Sequence, residues 1–92
     1  MGGKVTAKFL IRKVNPAYPE EARRDRIQGT VRLHVIIGRD GSVQQVELIS
    51  GHPVLAKPAI DAVRQWVYRP TLLNGEPVEV DTTIDVVFSL TD

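Results

Sequence analysis

The segment from Val78 to Leu90 constrains the fold of this chain more than any other part of the sequence. Its apolar residues fall on alternate positions, with Thr82 filling one gap, and the intervening positions carry mostly acidic or hydroxyl side chains. A period of two with one apolar face is typical of a half-buried β-strand. Thirteen residues at about 3.4 Å each span about 44 Å, whereas a domain of this size has a radius of gyration of only about 12 Å. The strand must therefore bend, or leave backbone N–H and C=O groups open at a sheet edge.

The composition is that of an ordinary globular domain. The chain has 92 residues, of which 42% are apolar and 25% charged, and this length suits one small domain. No apolar run approaches the roughly 20 residues that a membrane-spanning helix needs, and the N-terminal residues lack the apolar core of a signal peptide. Because there is no cysteine, disulfides and thiol chemistry are excluded. The sequence is consistent with an excised domain from which any anchor or signal has been removed.

The charge is unevenly distributed, although the formal net charge is only +1. Basic residues are concentrated in residues 1–39 and acidic residues in residues 40–92. A basic half can bind nucleic acid or an anionic membrane. No aromatic residues are interleaved with these arginines, which weakens the case for nucleic acid. We therefore expect the two halves to lie side by side and neutralise each other, and we predict no nucleic-acid partner.

The N-terminal part predicts a lead-in followed by a short helix. Met1 to Lys8 is expected to be a flexible lead-in, and Phe9 to Val14 a short extended segment. The prolines between Asn15 and Pro19 exclude regular structure there, because each removes a donor and restricts the residue before it. Pro19 suits the first position of a helix that runs to about Arg26, with acidic residues in its first turn. The predicted division is residues 1–14 as lead-in or extended segment and residues 15–92 as the domain.

A β-hairpin is predicted next. Thr30 to Ile37 alternates apolar and polar residues, Gly38 to Gly41 supplies a turn, and Ser42 to Ile49 returns as a second strand. The apolar phase of the returning strand slips after Val43, which indicates either a bulge or a strand that begins near Gln45.

A second helix precedes the long strand. Pro58 suits its first turn, and apolar residues recur at three- and four-residue spacing up to Trp66. Because Pro70 disfavours helical geometry in the residue before it, we expect the helix to end near Val67 or Tyr68. Asn74-Gly75 then predicts a turn. The predicted fold is an α+β domain, with a small three-stranded antiparallel sheet and two helices packed on one face.

No catalytic or metal site is predicted. His34 faces outward on a strand, and two histidines without cysteine offer no metal-ligand spacing. Ser50 and His52 resemble a nucleophile and base, but adjacent residues rarely point at each other, and a triad needs further parts. Asp81 and Asp85 lie roughly 13 Å apart on one strand face, too far for a glycosidase pair, and are interpreted as solubilising residues. We predict no enzymatic activity and no cofactor.

The assembled residues resemble the C-terminal domain of the TonB family, the energy transducers of Gram-negative bacteria. The pieces that carry the resemblance are, in chain order, Tyr18-Pro19 with Ala22, Ile27-Gln28-Gly29-Thr30-Val31, Asp40-Gly41-Ser42-Val43, Ser50-Gly51-His52, Ala59, Ala62-Val63, Trp66-Val67-Tyr68-Arg69-Pro70, Asn74-Gly75-Glu76-Pro77-Val78 and Phe88. Single pieces are common in unrelated proteins, whereas the ordered set is specific. The implied fold is the TonB/TolA C-terminal-like α+β domain.

The resemblance implies a periplasmic domain tethered to the inner membrane by an N-terminal helix and a proline-rich linker, neither of which is in this chain. Such domains bind the TonB box, a short peptide of outer-membrane transporters, and pull on it with proton-motive force delivered by an inner-membrane motor complex. The transporter then admits siderophores, vitamin B12 or sugars. An alternative within the same fold is a periplasmic scaffold domain that binds other envelope proteins or peptidoglycan.

The resemblance also implies the binding residues. In the family, the box adds as a strand to the edge of the last strand, and the segment before Tyr-Pro lies nearby. Carried over to this sequence, the peptide-binding residues are Asn15, Tyr18, Pro19, Thr82, Thr83, Ile84, Asp85, Val86, Val87, Phe88, Ser89 and Leu90. Asn15 stands where many relatives have glutamine. An open edge strand also favours a homodimer formed by strand pairing or swapping.

Overall fold

A computed structural model describes residues 9–90 of the chain, so the predicted lead-in Met1–Lys8 lies outside the described residues. The elements in chain order are β1 (Leu10–Arg12), α1 (Glu20–Arg24), β2 (Gly29–Ile37), β3 (Val43–Ser50), α2 (Pro53–Val63), β4 (Val67–Tyr68), β5 (Thr71–Leu73), β6 (Glu76–Val78) and β7 (Val80–Phe88). The predicted α+β class, with two helices and an antiparallel sheet, is confirmed. No helix among these residues is long and apolar enough to cross a membrane.

The main sheet has three antiparallel strands in the order β3-β2-β7. Alternate residues of β2 point into the core and are buried, while Arg32 and His34 point to the opposite face. The inward residues of β2 are Val31, Leu33, Val35 and Ile37. Helix α2 contributes Leu55, Ala59 and Val63 to the same core. One face of the sheet is therefore covered by the helices, and we call the other the open face.

The predicted thirteen-residue strand is divided at Glu79, where strand geometry is interrupted. Its first residue, Val78, is the last residue of β6, which pairs with β5 in a separate hairpin closed by Asn74 and Gly75, whose φ angles are 53° and 83°. Positive φ at both positions is the requirement of the turn that Asn-Gly favours. Beyond Glu79, the nine residues of β7 form a strand, and Ser89 and Leu90 lie past its end. The expectation of one strand from Val78 to Leu90 is thus wrong. Of the two alternatives for so long a strand, the open edge agrees with the structure, because no strand pairs with the outer side of β7 among residues 9–90.

The β2–β3 hairpin agrees with its prediction in most respects. The carboxylate of Asp40 accepts hydrogen bonds from the backbone N–H and hydroxyl of Ser42, at 3.0 and 2.6 Å, and these bonds lower the pKa of Asp40. Strand β3 begins at Val43 and carries a bulge at Gln44, where the register shifts. The predicted bulge is therefore confirmed, and the alternative start near Gln45 is wrong.

Helix α1 is shorter than predicted, and α2 both begins and ends earlier in the chain than predicted. Helix α1 begins at Glu20 with Pro19 as its N-cap, and it ends before Arg26 because that residue adopts a left-handed φ of 54°. Helix α2 begins at Pro53, which places Pro58 in its interior rather than in its first turn. It ends at Val63, because Tyr68 and its neighbour form β4 and pair with β1. This non-local pairing outweighs the helical periodicity that continues to Trp66, which is buried in the core.

Candidate functional site

Strand β7 lies at one edge of the main sheet. It pairs with β2 over nine consecutive positions, from Gly29 opposite Phe88 to Ile37 opposite Val80, without a register shift. On its other side, no strand pairs with it among residues 9–90. In an antiparallel sheet, alternate residues of an edge strand direct their backbone N–H and C=O groups away from the sheet. The outer side of β7 is thus a regular template for a further strand.

Strand β3 forms the opposite edge of the sheet, but it is irregular. Its pairing with β2 skips Gln44 and again skips Ile49, so each of these is an extra residue on β3. Its start is also bridged, through Ser42 and Val67, to the strand that follows α2. Bulges twist and interrupt an edge and so hinder the addition of another strand. Of the two edges, β7 is therefore the better suited to strand addition.

The two faces of β7 differ in chemistry. Toward the helices, Thr82, Val86 and Phe88 are buried, whereas Ile84 between them remains half-exposed. The residues of β7 on the open face are all exposed and comprise Asp81, Thr83, Asp85 and Val87. Of the predicted site residues, Ser89 and Leu90 lie just beyond the end of β7. The backbone N–H of Leu90 donates to the side-chain oxygen of Gln28 at 2.8 Å, which holds this end of the strand against the start of β2.

The Tyr18-Pro19 corner lies at the Phe88 end of β7. The ring of Tyr18 meets the ring of Phe88 edge to face, with centroids 5.5 Å apart and an interplanar angle of 85°. The Tyr18 hydroxyl donates a hydrogen bond to the carbonyl oxygen of Ile27, and the Arg23 guanidinium lies 5.9 Å from the ring centre. Tyr18 and Pro19 are both half-buried. The structure thus brings Tyr18 together with the end of β7.

The segment before this corner is anchored by Trp66. Its indole N–H donates to the carbonyl oxygen of Val14 at 2.8 Å, and the Lys13 ammonium lies 5.7 Å from the ring centre. Asn15 follows this anchor and is exposed, and its side chain makes no hydrogen bond to β7 within residues 9–90. Trp66 therefore positions residues 13–17, which we call the entry segment. Asn15 belongs to this segment, and only its backbone connection places it near the corner.

Sequence reasoning missed two of these roles. The helical apolar spacing that continues to Trp66 predicts a core position alone, although a buried tryptophan usually finds a hydrogen-bond partner for its N–H, and that rule indicates a second role. Gln28 carries no comparable signal, because a single polar residue between a helix and a strand is common in loops. Its contact with Leu90 joins residues that are 62 positions apart in the chain.

Charged side chains form a network on the open face. Arg32 of β2 donates two hydrogen bonds to Asp85 of β7, at 3.0 and 3.3 Å, and this contact raises the pKa of the arginine. His34, which points outward as predicted, lies between two carboxylates: Nε2 bonds to Asp81, and Nδ1 is 3.7 Å from Glu47. These pairs are exposed, so their contribution to stability is small. They place acidic groups beside the edge of β7.

His52 has a structural role in the fold. Nδ1 of His52 accepts a hydrogen bond from the backbone N–H of Val54 at 3.1 Å, which caps the N-terminus of α2. That ring nitrogen is therefore directed at the helix rather than at Ser50. Within residues 9–90, no group of three or more histidine, aspartate or glutamate side chains is arranged to hold a metal ion.

Comparison of the sequence with known proteins identifies one family. A family described as Gram-negative bacterial TonB protein C-terminal matches residues 14–90. The chain is 34% identical over 80 residues to Protein TonB of Vibrio cholerae, covering 85% of the chain and 33% of that protein. It is 31% identical over 77 residues to Protein tonB2 of Pseudomonas aeruginosa, covering 82% of the chain and 28% of that protein. The chain spans about a third of the length of these relatives.

Solved structures share the fold. The solution NMR structure of the Pseudomonas aeruginosa TonB C-terminal domain matches with a TM-score of 0.77 at 22% identity, covering 90% of this chain and 86% of that one. The tonB2 protein of Vibrio anguillarum matches with a TM-score of 0.68 at 23% identity, covering 98% and 91%. The TonB family is non-enzymatic, in agreement with the sequence-based prediction. The chain belongs to the family of Gram-negative TonB C-terminal domains.

Proposed function

We propose that this domain is a periplasmic, force-transducing module that binds the TonB box of outer-membrane transporters by adding the box as a strand to β7. In the full-length protein, an N-terminal membrane helix would tether it to the inner membrane and to the motor complex. Proton-motive force would thereby drive uptake of siderophores, vitamin B12 or sugars. The observation that carries this proposal is the open, regular edge of β7 in a member of this family.

Strand addition fits the chemistry of this edge. A peptide that pairs with β7 satisfies the outward N–H and C=O groups through its own backbone, so the affinity depends little on side-chain identity. One domain can then serve several transporters with different box sequences. The half-buried Tyr18-Pro19 corner, beside Phe88, would contact the peptide where it passes the end of β7. Asn15, on the same entry segment, would provide a further contact there.

The same geometry suits force transmission. Hydrogen bonds of an antiparallel ladder run perpendicular to the strands, so a pull along the strand axis loads them together rather than one at a time. Strand β7 is itself held to β2 by nine consecutive residue pairs, and β2 is the central strand over the buried core. A load applied to a peptide on β7 would thus pass directly into the most stable part of the domain.

The first prediction concerns the location of binding. Titration of the ¹⁵N-labelled domain with transporter N-terminal peptides should shift the amide resonances of residues 80–90 and of Tyr18. Residues 43–50 of β3 serve as the internal control, and their resonances should move little because that edge is bulged. Sedimentation of the free domain over the same concentrations separates peptide binding from pairing of two copies.

Two results of this titration would contradict the proposal. Shifts confined to β3 would move the site to the other edge of the sheet. An absence of shifts in residues 80–90 at millimolar peptide would remove the TonB box as a ligand, and would favour a scaffold domain that binds other envelope components.

A further inference from the structure

We propose that the strand accepted by β7 is amphipathic with a period of two: small apolar side chains on the helix-covered face, beside Ile84, and lysine or arginine on the open face, beside Asp81 and Asp85. This inference rests on the proposed function, because it concerns the same edge. It specifies which peptide sequences the site prefers, whereas the backbone contacts alone would accept many sequences.

The apolar half of the pattern follows from Ile84. On the helix-covered face of β7, Thr82 and Val86 are 7% and 6% exposed, whereas Ile84 between them is only half-buried. Ile84 packs against the core, yet the fold leaves part of its surface uncovered on the edge strand. A side chain of an added strand on this face would lie within contact distance of Ile84 and remove that surface from water. Valine suits the position.

The basic half follows from the acids on the open face. Asp81 and Asp85 are four residues apart on β7, so both point to that face, and their side chains are 57% and 45% exposed. Opposite charges in directly facing cross-strand pairs stabilise a sheet, and like charges destabilise it. An added strand with cations four residues apart can face both acids in either strand direction, because the spacing is the same when reversed.

Side chains of the neighbouring strands neutralise the negative charge of these two acids only in part. Asp85 shares both of its oxygens with Arg32, whereas Asp81 contacts His34, and a histidine carries no permanent charge. Glu47 of β3 adds a third carboxylate to the same face. The three strands therefore present three carboxylates and one arginine on the open face among these residues. Of the two acids on β7, Asp81 should influence the peptide more strongly, because Asp85 is bound through both oxygens to an arginine, whereas Asp81 has a single bond to His34.

The net charge of the domain does not produce this preference. The chain has a formal net charge of +1, which at long range slightly disfavours a cationic peptide. A preference for lysine over glutamate would thus have to arise locally at the edge of β7.

The test uses three synthetic peptides of ten residues that alternate valine and threonine, with blocked termini. Two threonines four positions apart are replaced by lysine, by glutamine or by glutamate. The Kd for the intact domain is measured by calorimetry, and the amide shifts of residues 80–88 report the site. Since each opposite-charge pair strengthens pairing by about 1.4- to 5-fold, we expect the lysine peptide to bind about tenfold more tightly than the glutamate peptide. The glutamine peptide should be intermediate.

Matched variants assign the effect to β7. Asp81→Asn should reduce the lysine-to-glutamate ratio to about threefold, and Asp85→Asn should reduce it less. Glu47→Gln makes the same change of charge on the far strand, roughly 10 Å from β7, and should leave the ratio nearly unchanged because of screening. Ile84→Ala should weaken all three peptides equally.

The outcomes separate this inference from the proposed function. Equal affinities of the three peptides, with shifts in residues 80–88, would overturn the sequence preference and leave strand addition intact. A larger effect of Glu47→Gln than of Asp81→Asn would overturn it as well, by placing the peptide on β3. Failure of all three peptides to shift residues 80–88 would overturn the proposed function itself.

Discussion

Replacing Gly41 by alanine is expected to destabilise the domain by about 4 kcal/mol, the sum of backbone strain and forced displacement of packed backbone. Gly41 has a φ of 88°, a conformation that residues with a Cβ atom rarely adopt. A Cβ atom there would lie 1.8 Å from the carbonyl oxygen of Tyr68. The same two residues are joined by a hydrogen bond from the Tyr68 N–H to the Gly41 carbonyl oxygen, at 2.8 Å. Alanine must therefore separate the β2–β3 turn from β4.

Gly75 provides the matched control. It has a similar φ of 83°, but apart from Gly75 and its two chain neighbours, no heavy atom of residues 9–90 lies within 4 Å of the position that a Cβ atom would occupy. Gly75→Ala should thus cost only the conformational strain, about 1–2 kcal/mol. Urea unfolding of both variants, analysed by linear extrapolation, measures the difference. Equal losses of stability in the two variants would show that contact between the turn and Tyr68 is unimportant.

The second large effect is expected at Trp66. Its side chain is 7% exposed, and its indole N–H holds the carbonyl oxygen of Val14. Trp66→Ala should reduce the free energy of unfolding by about 3–5 kcal/mol, because it removes a large core side chain and leaves a cavity. It should also release the segment that leads to the Tyr18-Pro19 corner. Since the variant removes the single tryptophan, unfolding is followed by circular dichroism rather than fluorescence.

Trp66→Phe separates the two roles of this residue. Phenylalanine keeps most of the apolar contact but cannot donate to Val14, so we expect a loss of about 1–2 kcal/mol. Amide exchange in residues 13–18 should nevertheless increase in Trp66→Phe, as it does in Trp66→Ala. Unchanged exchange in both variants would mean that Trp66 does not anchor the entry segment, and only its packing role would remain.

Strands with a strict period of two were predictable, and element ends that depend on distant pairing were not. The alternation in β2 and β7 specifies which side chains are buried, whatever the sheet order. The break at Glu79 does not disturb this alternation, because Val78 and Val80 keep the same phase. A signal was nevertheless present: the two-residue Asn-Gly turn sets Leu73 opposite Glu76, so β6 belongs to the hairpin rather than to the long strand.

The end of α2 shows the limit of local reasoning. Trp66 and Val67 continue the helical apolar spacing, yet Val67 pairs with Arg12 in an antiparallel strand. No pattern within a short window reports a partner so distant in the chain. The candidate site cannot be located from a local pattern either. Apolar and polar residues alternate in both β2 and β7, and only the order of strands in the sheet makes β7 an edge. The predicted location of the site came from the family resemblance, and its chemical detail came from the structure.

The central claim is that the backbone edge of β7 supplies the common part of peptide binding, and that side chains only adjust the affinity. A scan with single N-methyl groups along the lysine-containing peptide tests it most directly, because N-methylation removes one N–H donor and leaves every side chain in place. In strand addition, alternate peptide residues direct their N–H groups to β7 and the others to solvent. We predict that N-methylation weakens binding at least about tenfold at every second position and little at the positions between them. A uniform loss, or no loss at any position, would contradict strand addition to β7.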